Sequence, residues 1–129
     1  MRLFERHTVR TNNFNDNAKQ KIGNLWIKYM ENKLPSEVYG IYHSYENNYK
    51  GNYTLSICTP IEDGSTGVYF EIDNIKYAAY PVLLDSEDAI FKTWQKIWND
   101  EENKKLNRAY MLDYEHYRLD GVTIYISII

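Results

Sequence analysis

The sequence lacks the features of several common protein classes, beginning with cysteine. Its single cysteine, Cys58, cannot form an internal disulfide and is predicted to be a buried strand residue rather than a nucleophile. Charges at Arg2, Glu5, Arg6 and Arg10 interrupt the N-terminal segment, so no signal-type segment is predicted and a reducing cytosol is expected. The apolar runs are too short to span a membrane.

Clustered basic residues are also missing. The formal net charge is −3 and the lysines and arginines are scattered, which argues against direct nucleic-acid binding. A positively charged or amphipathic ligand fits this balance better. The histidines at positions 7, 43 and 116 lack metal-ligand spacing, and there is no glycine-rich phosphate loop. We therefore expect neither a metal nor a cofactor.

Aromatic residues, in contrast, are abundant. The 13 tyrosines, 4 phenylalanines and 3 tryptophans make up 16% of the 129 residues. Tyrosine combines an apolar face with a polar tip, so a surplus suits a wet, adaptable cavity. Tyrosine also favours strands, and this preference alone explains most of the thirteen.

Two amphipathic helices are predicted from apolar residues at spacings of three and four. The first follows the cap-rich segment 12–17 and extends to about Asn32, before Pro35. The second starts within residues 84–88, where Asp85 or Ser86 is a capping candidate. Their apolar stripes contain Ile22, Leu25, Trp26, Tyr29 and Met30, and Ile90, Phe91, Trp94, Ile97 and Trp98, respectively.

The order of predicted elements indicates an internal duplication. Predicted strands cover 3–11, 38–45, 53–60, 68–72, 75–81, a segment ending at 117, and 122–129, with 68–72 and 75–81 forming a hairpin around Asp73 and Asn74. Setting Trp26 on Trp94 brings Glu46 within one residue of Glu115. We predict one domain, 1–129, with repeats of about 1–62 and 67–129. Two β-α-β-β units give an α+β fold whose antiparallel sheet carries both helices on one face, with a cleft at the seam.

Glu115 is the candidate functional residue, because a charge in a segment rich in tyrosine and aliphatic residues is costly without a partner or a role. The alternatives are a structural ion pair with Arg108 or Arg118, or exposure near the strand end. Glu46 is interpreted as a rim or surface acid.

Several short motifs, in this order, resemble a known family. They are Val9–Asn12, Leu25-Trp26, Tyr39–Tyr42, Tyr45-Glu46, Tyr53-Thr54, Tyr77-Ala78, Trp94, Ile97-Trp98, Tyr114–Tyr117 and a terminal Ile-Tyr-Ile strand. Together they are similar to the GyrI-like small-molecule-binding domain, the effector-binding domain of AraC- and MerR-type transcription regulators. The similarity covers nearly the whole chain, although Ser127 stands where many members have proline.

The resemblance implies that Glu115 lies at the floor of an aromatic pocket and pairs with cationic, lipophilic ligands. It suggests walls formed by Tyr80, Trp94, Trp98, Tyr110 and Tyr117. Nothing in the sequence encodes a helix-turn-helix, so a stand-alone binding domain is implied rather than a transcription factor.

Three functional classes are compatible with the sequence. The first is a module that senses or sequesters an amphipathic small molecule, with a lipophilic cation as the expected ligand. The second is a hydrolase in which Glu115 and Tyr110 or Tyr117 act on water. The third is a protein-interaction module like the gyrase-inhibiting members. Because no third orienting residue accompanies Glu115, an enzyme is the less favoured class.

Overall fold

The computed structural model describes residues 2–13, 18–30, 37–60, 68–86 and 88–129. These residues form seven strands and two helices, in the order β1 (Arg2–Asn12), α1 (Ala18–Met30), β2 (Val38–His43), β3 (Asn52–Thr59), β4 (Tyr69–Glu71), β5 (Tyr77–Pro81), α2 (Ala89–Glu102), β6 (Asp113–Arg118) and β7 (Gly121–Ser127). Neither described helix combines the length and the apolar character that crossing a membrane requires.

All seven strands belong to one antiparallel sheet with the order β4-β1-β3-β2-β6-β7-β5. From the central pair β2 and β6 outwards, β3 and β1 on one side correspond to β7 and β5 on the other. The two halves are therefore related by a pseudo-twofold axis between β2 and β6. This arrangement confirms the predicted duplicated α+β fold.

Both helices pack on the same face of the sheet. Leu25 of α1 packs in a cluster with Leu55 and Ile57 of β3, and Ile97 of α2 packs with Ile124 of β7. Directly paired residues of antiparallel strands share a face, and a row of such pairs runs from Ile57 through the two central strands to Ile124. The helices leave a cleft at the junction of the two halves.

The predicted hairpin of 68–72 with 75–81 is wrong. β4 pairs with β1 at one edge of the sheet, whereas β5 pairs with β7 at the other. The chain between them crosses the face without helices, where Ile72 is buried in a cluster with Ile41 and Cys58. Burial of Ile72 beneath the sheet, and the pairing of β4 with β1 and of β5 with β7, outweigh the local turn signal.

The ends of the helices differ in part from expectation. Helix α2 begins at Ala89, with Asp88 rather than Asp85 or Ser86 at the capping position, and the Asp88 side chain makes no capping hydrogen bond. Instead, the Ser86 hydroxyl donates to the Asp88 carboxylate. The predicted start and end of α1, at 14–17 and 31–36, lie outside the described residues.

The proposed equivalence of Glu46 and Glu115 is also wrong. Glu115 is the third residue of β6, and the third residue of β2, Gly40, pairs directly with it. Glu46 lies beyond β2, exposed in the long loop 44–51, whereas β6 and β7 are joined by Leu119 and Asp120. Glu46 and Glu115 lie at similar distances in sequence from Trp26 and Trp94 for a different reason. β2 begins sooner after α1 than β6 does after α2, and the longer loop after β2 makes up the difference.

Candidate functional site

A cavity of about 520 Å³ lies between the two helices and the sheet. Its lining is mostly aromatic and comes from both halves of the chain. The lining residues are Asn13, Ile22, Tyr42, Tyr45, Tyr49, Tyr53, Asp88, Ile90, Phe91, Trp94, Trp98, Arg108, Glu115 and Tyr117. Phe91 is also 52% exposed, so the cavity reaches the protein surface beside α2.

Glu115 lies at the centre of the sheet, on the floor of this cavity. It pairs with Gly40 of β2 and Ile124 of β7, and only 3% of the residue is exposed. A Cβ atom at Gly40 would lie 3.3 Å from Oε1 of Glu115, closer than most such contacts. The absence of a side chain at position 40 therefore leaves room for the carboxylate.

Three neutral donors hold the Glu115 carboxylate. The Tyr42 hydroxyl and the Trp94 indole N–H donate to Oε2, over 3.0 and 2.7 Å respectively. The Tyr117 hydroxyl donates to Oε1 over 2.7 Å. These donors come from β2, α2 and β6, so the carboxylate ties the second helix to both halves of the sheet.

Burial raises the pKa of Glu115 above its ordinary value, although the hydrogen bonds from Trp94, Tyr117 and Tyr42 oppose this effect. Burial, followed by the charge of Glu115, also raises the pKa of the Tyr42 hydroxyl well above its usual range. The same two causes, in the same order, raise the pKa of Tyr117. Both tyrosines therefore remain protonated donors at neutral pH.

No cation compensates Glu115 within the described part of the chain. The alternative of a structural ion pair with Arg108 or Arg118 is wrong, because Arg108 binds Asp113 over 2.8 Å and Arg118 binds Asp120 over 3.0 Å. Hydrogen bonds place the carboxylate but leave its charge unpaired. A buried carboxylate in this condition favours binding of a cation.

Aromatic rings form a continuous surface around the carboxylate. The Tyr42 ring lies edge-on to Trp94 at 5.0 Å and packs against Tyr53 at 5.4 Å between centroids. Trp98 lies 6.5 Å from Trp94 and stacks on Tyr49 at 5.3 Å. Ring faces carry a negative quadrupole, so they too favour a cation.

Four of the residues predicted to form a site meet at this cavity, namely Glu115, Trp94, Trp98 and Tyr117. Tyr80 and Tyr110 are not among the lining residues. The Tyr80 hydroxyl instead donates to Asp100 of α2 over 2.9 Å. Tyr110 donates to Glu101 and accepts a hydrogen bond from the backbone N–H of Tyr49.

Sequence reasoning missed the tyrosines of the first half that line the cavity, Tyr42, Tyr45, Tyr49 and Tyr53. The predicted duplication contained a signal for Tyr42 and Tyr53, which lie on strands, but none for Tyr45 and Tyr49 in the loop 44–51. A pseudo-twofold axis brings the equivalent strands of the two halves together, so aromatic residues of β2 and β3 lie beside Glu115.

A second buried acid, Asp113, was also missed. It is fully buried in β6, two residues before Glu115. Arg108 and the Tyr45 hydroxyl donate hydrogen bonds to its Oδ2. Its Oδ1 accepts the backbone N–H and the hydroxyl of Ser127, over 2.6 and 2.8 Å. Asp113 therefore fixes two cavity-lining side chains, Tyr45 and Arg108, from below.

Other reactive side chains lie elsewhere. Within the residues the structure describes, no group of histidine, cysteine and acidic side chains could hold a metal ion. Cys58 is buried in β3, as predicted, and burial raises the pKa of its thiol. The chemistry of the cavity thus rests on the carboxylates of Glu115 and Asp88, the guanidinium of Arg108 and the aromatic rings.

A concave, largely apolar cavity with a few convergent polar groups has the properties of a small-molecule site. A family model described as Cass2, integron-associated effector binding protein, matches residues 6–128. The chain belongs to this family of effector-binding proteins, and an effector of this kind is a small-molecule ligand.

Among solved structures, the chain is similar to an integron cassette protein from the mobile metagenome of Vibrio cholerae. The match covers 100% of this chain and 90% of that one, with a TM-score of 0.80 and 24% sequence identity. At this identity the similarity shows the shared fold. The chain matches none of the curated proteins.

The Asp113 network predicts a large effect on stability. Asp113→Asn removes the charge that compensates buried Arg108, so the free energy of unfolding should fall by roughly 3–5 kcal/mol in urea denaturation. The matched control is Asp120→Asn, which breaks the exposed pair with Arg118 and should cost less than about 1 kcal/mol. Equal effects of the two substitutions would contradict a structural role for Asp113.

The raised pKa of Glu115 predicts that the stability of the protein depends on pH. The folded state holds the Glu115 proton more tightly than the unfolded state, so this residue's contribution to stability is lost as pH rises through the raised pKa. Glu115→Gln removes this titration. Wild type should therefore lose stability relative to Glu115→Gln between acidic and neutral pH.

Urea denaturation of both proteins across that range measures the difference. Glu46→Gln, at an exposed loop position, serves as the control and should follow wild type. A constant difference between wild type and Glu115→Gln at every pH would show that burial does not perturb Glu115.

Proposed function

We propose that this protein captures amphipathic, cationic, lipophilic small molecules in its aromatic cavity, as a sensor or as a sequestering protein. One observation carries the proposal: Glu115 is a buried carboxylate that receives three neutral hydrogen bonds and has no ion-pair partner among the described residues. We further propose that the domain is a relative of the GyrI-like effector-binding domains.

The physical advantage of a lipophilic cation lies in its low cost of desolvation. A strongly hydrated ion would lose its water on entering an apolar cavity, whereas a bulky organic cation gains apolar contact. Rings such as Tyr42, Trp94 and Trp98 each add a cation–π contribution of about 0.5–2 kcal/mol. The Glu115 charge then attracts the cation at low effective dielectric.

A hydrolase would require Glu115 to activate a water molecule. Its three hydrogen bonds occupy most of the acceptor positions of the carboxylate, and the tyrosines act as donors to it. This arrangement supports binding more than general-base catalysis. The protein-interaction alternative has less support, because the cavity reaches the surface beside Phe91 and is open to a ligand.

A pair of ligands matched in shape but different in charge tests the proposal. An aryl trimethylammonium cation and its neutral isostere, with carbon in place of nitrogen, have nearly the same shape. Glu115→Gln should weaken binding of the cation by roughly 2–4 kcal/mol, because the cation loses its partner in a desolvated site. The neutral isostere should be almost unaffected.

Quenching of tryptophan fluorescence is a suitable measurement, since Trp94 and Trp98 both line the cavity. Glu46→Gln is the control and should bind both ligands like wild type. Equal affinity of wild type and Glu115→Gln for the cation would overturn the proposal. Normal binding with loss of turnover of an electrophilic substrate would favour the hydrolase instead.

A further inference from the structure

Arg108 is a second buried charge at the cavity, and the proposed function does not use it. It lies before β6, where its backbone forms an isolated bridge with Ile128. Only 1% of its side chain is exposed, yet the residue belongs to the cavity lining. Burial is the largest single influence on the pKa of its guanidinium and lowers it, but the charge of Asp113, the neighbouring Tyr45 and Tyr110 and the hydrogen bond to Asp113 together raise that pKa by more, so Arg108 remains charged.

The hydrogen-bonding capacity of this guanidinium is only partly used. Its Nη2 donates to Asp113 over 2.8 Å, and its plane lies over the Tyr110 ring at 4.1 Å from the centroid. Its Nη1 lies 3.7 Å from a Glu101 carboxylate oxygen, beyond hydrogen-bond distance. Across the described residues, Nε and Nη1 have no hydrogen-bond partner. Buried donors without acceptors are costly, so this group has capacity for a further acceptor.

Arg108 and Glu115 lie at different places along one aromatic floor. The Tyr42 hydroxyl contacts Glu115, and the Tyr42 ring packs against Tyr53. Tyr53 in turn packs against Tyr45 at 6.3 Å, and the Arg108 guanidinium lies 5.9 Å from the Tyr45 ring. Because Glu115 and Arg108 also line the same cavity, a single extended ligand is the kind of molecule that would contact both.

The charges specify what kind of acceptor is needed. Asp113 already compensates Arg108, whereas nothing in the described chain compensates Glu115. The third charged lining residue, Asp88, pairs with Lys92 over 3.5 Å. A ligand with one positive charge therefore balances the site, and a second, negative group on the ligand would not be balanced. The acceptor that suits Arg108 is therefore neutral, such as an amide or ester carbonyl.

We propose that Arg108 is a specificity-determining residue, and that the cavity selects lipophilic cations whose apolar body carries a neutral carbonyl group at the distance of Arg108. This inference rests on the proposed function, because it assumes that the cationic group lies at Glu115. The competing account is that Arg108 serves only to hold Asp113.

A ligand series tests the proposal on the wild-type protein. Each ligand is an alkyl trimethylammonium ion in which an amide replaces methylene groups at successive positions along the chain. One position should bind about tenfold more tightly than the alkyl parent of equal length, because a hydrogen bond to a charged group is gained. The other positions should bind more weakly, since they bury an amide without a partner.

The same series separates this inference from the proposed function. If no cation binds, the proposed function fails. If the cations bind but the amide weakens affinity at every position, or changes nothing, Arg108 is not a recognition group and this inference is wrong.

Variants assign the effect to Arg108. Arg108→Met combined with Asp113→Asn removes both members of the pair and leaves no buried unpaired charge. In this protein the preference for the best amide over its alkyl parent should disappear, and a retained preference would overturn the assignment. Glu101→Gln changes the other acid beside Arg108 without altering the cavity lining, and should retain the preference.

Discussion

The buried Glu115 carboxylate is the interaction on which the rest of the site depends. Neutral donors from α2, β2 and β6 converge on it and fix its position, while none of the residues that the structure describes compensates its charge. Burial makes that charge costly, and the raised pKa expresses this cost. The protein thus gives up some stability to keep a carboxylate ready in an apolar cavity. Such a trade is common where a site must provide interactions that only a ligand completes.

The duplication explains how so small a chain builds this cavity. Two β-α-β-β halves meet at β2 and β6, and their helices leave an opening above the junction. The two halves then contribute different chemistry at equivalent positions. Gly40 and Glu115 pair across the junction. Gly40 has no side chain and leaves space, and the Glu115 carboxylate occupies that space. The long loop 44–51 has no counterpart between β6 and β7, and it brings Tyr45 and Tyr49 to one wall only.

Patterns within one element were readable from the sequence, whereas contacts between distant elements were less so. The stripes that predicted both helices also place Trp94 and Trp98 on the cavity. The false hairpin around Asp73 and Asn74 followed a local turn signal, although the partners of β4 and β5 lie far away in the chain. Tyr110 has a positive φ of 54° before β6 begins, so strand alternation could not predict where its side chain lies. The role of Asp113 was not predictable from the sequence, because its contacts with Tyr45 and Ser127 exist only in the folded sheet.

The most direct test of this account is the ionisation of Glu115 itself. Carbon-13 NMR of the side-chain carboxyl, assigned by comparison with Glu115→Gln, can follow its titration with and without a saturating aryl trimethylammonium cation. The account predicts a pKa above the ordinary glutamate value in the free protein, and a lower pKa once the permanent cation is bound, because an opposite charge stabilises the carboxylate. An ordinary pKa in the free protein, or the same pKa in both states, would contradict it.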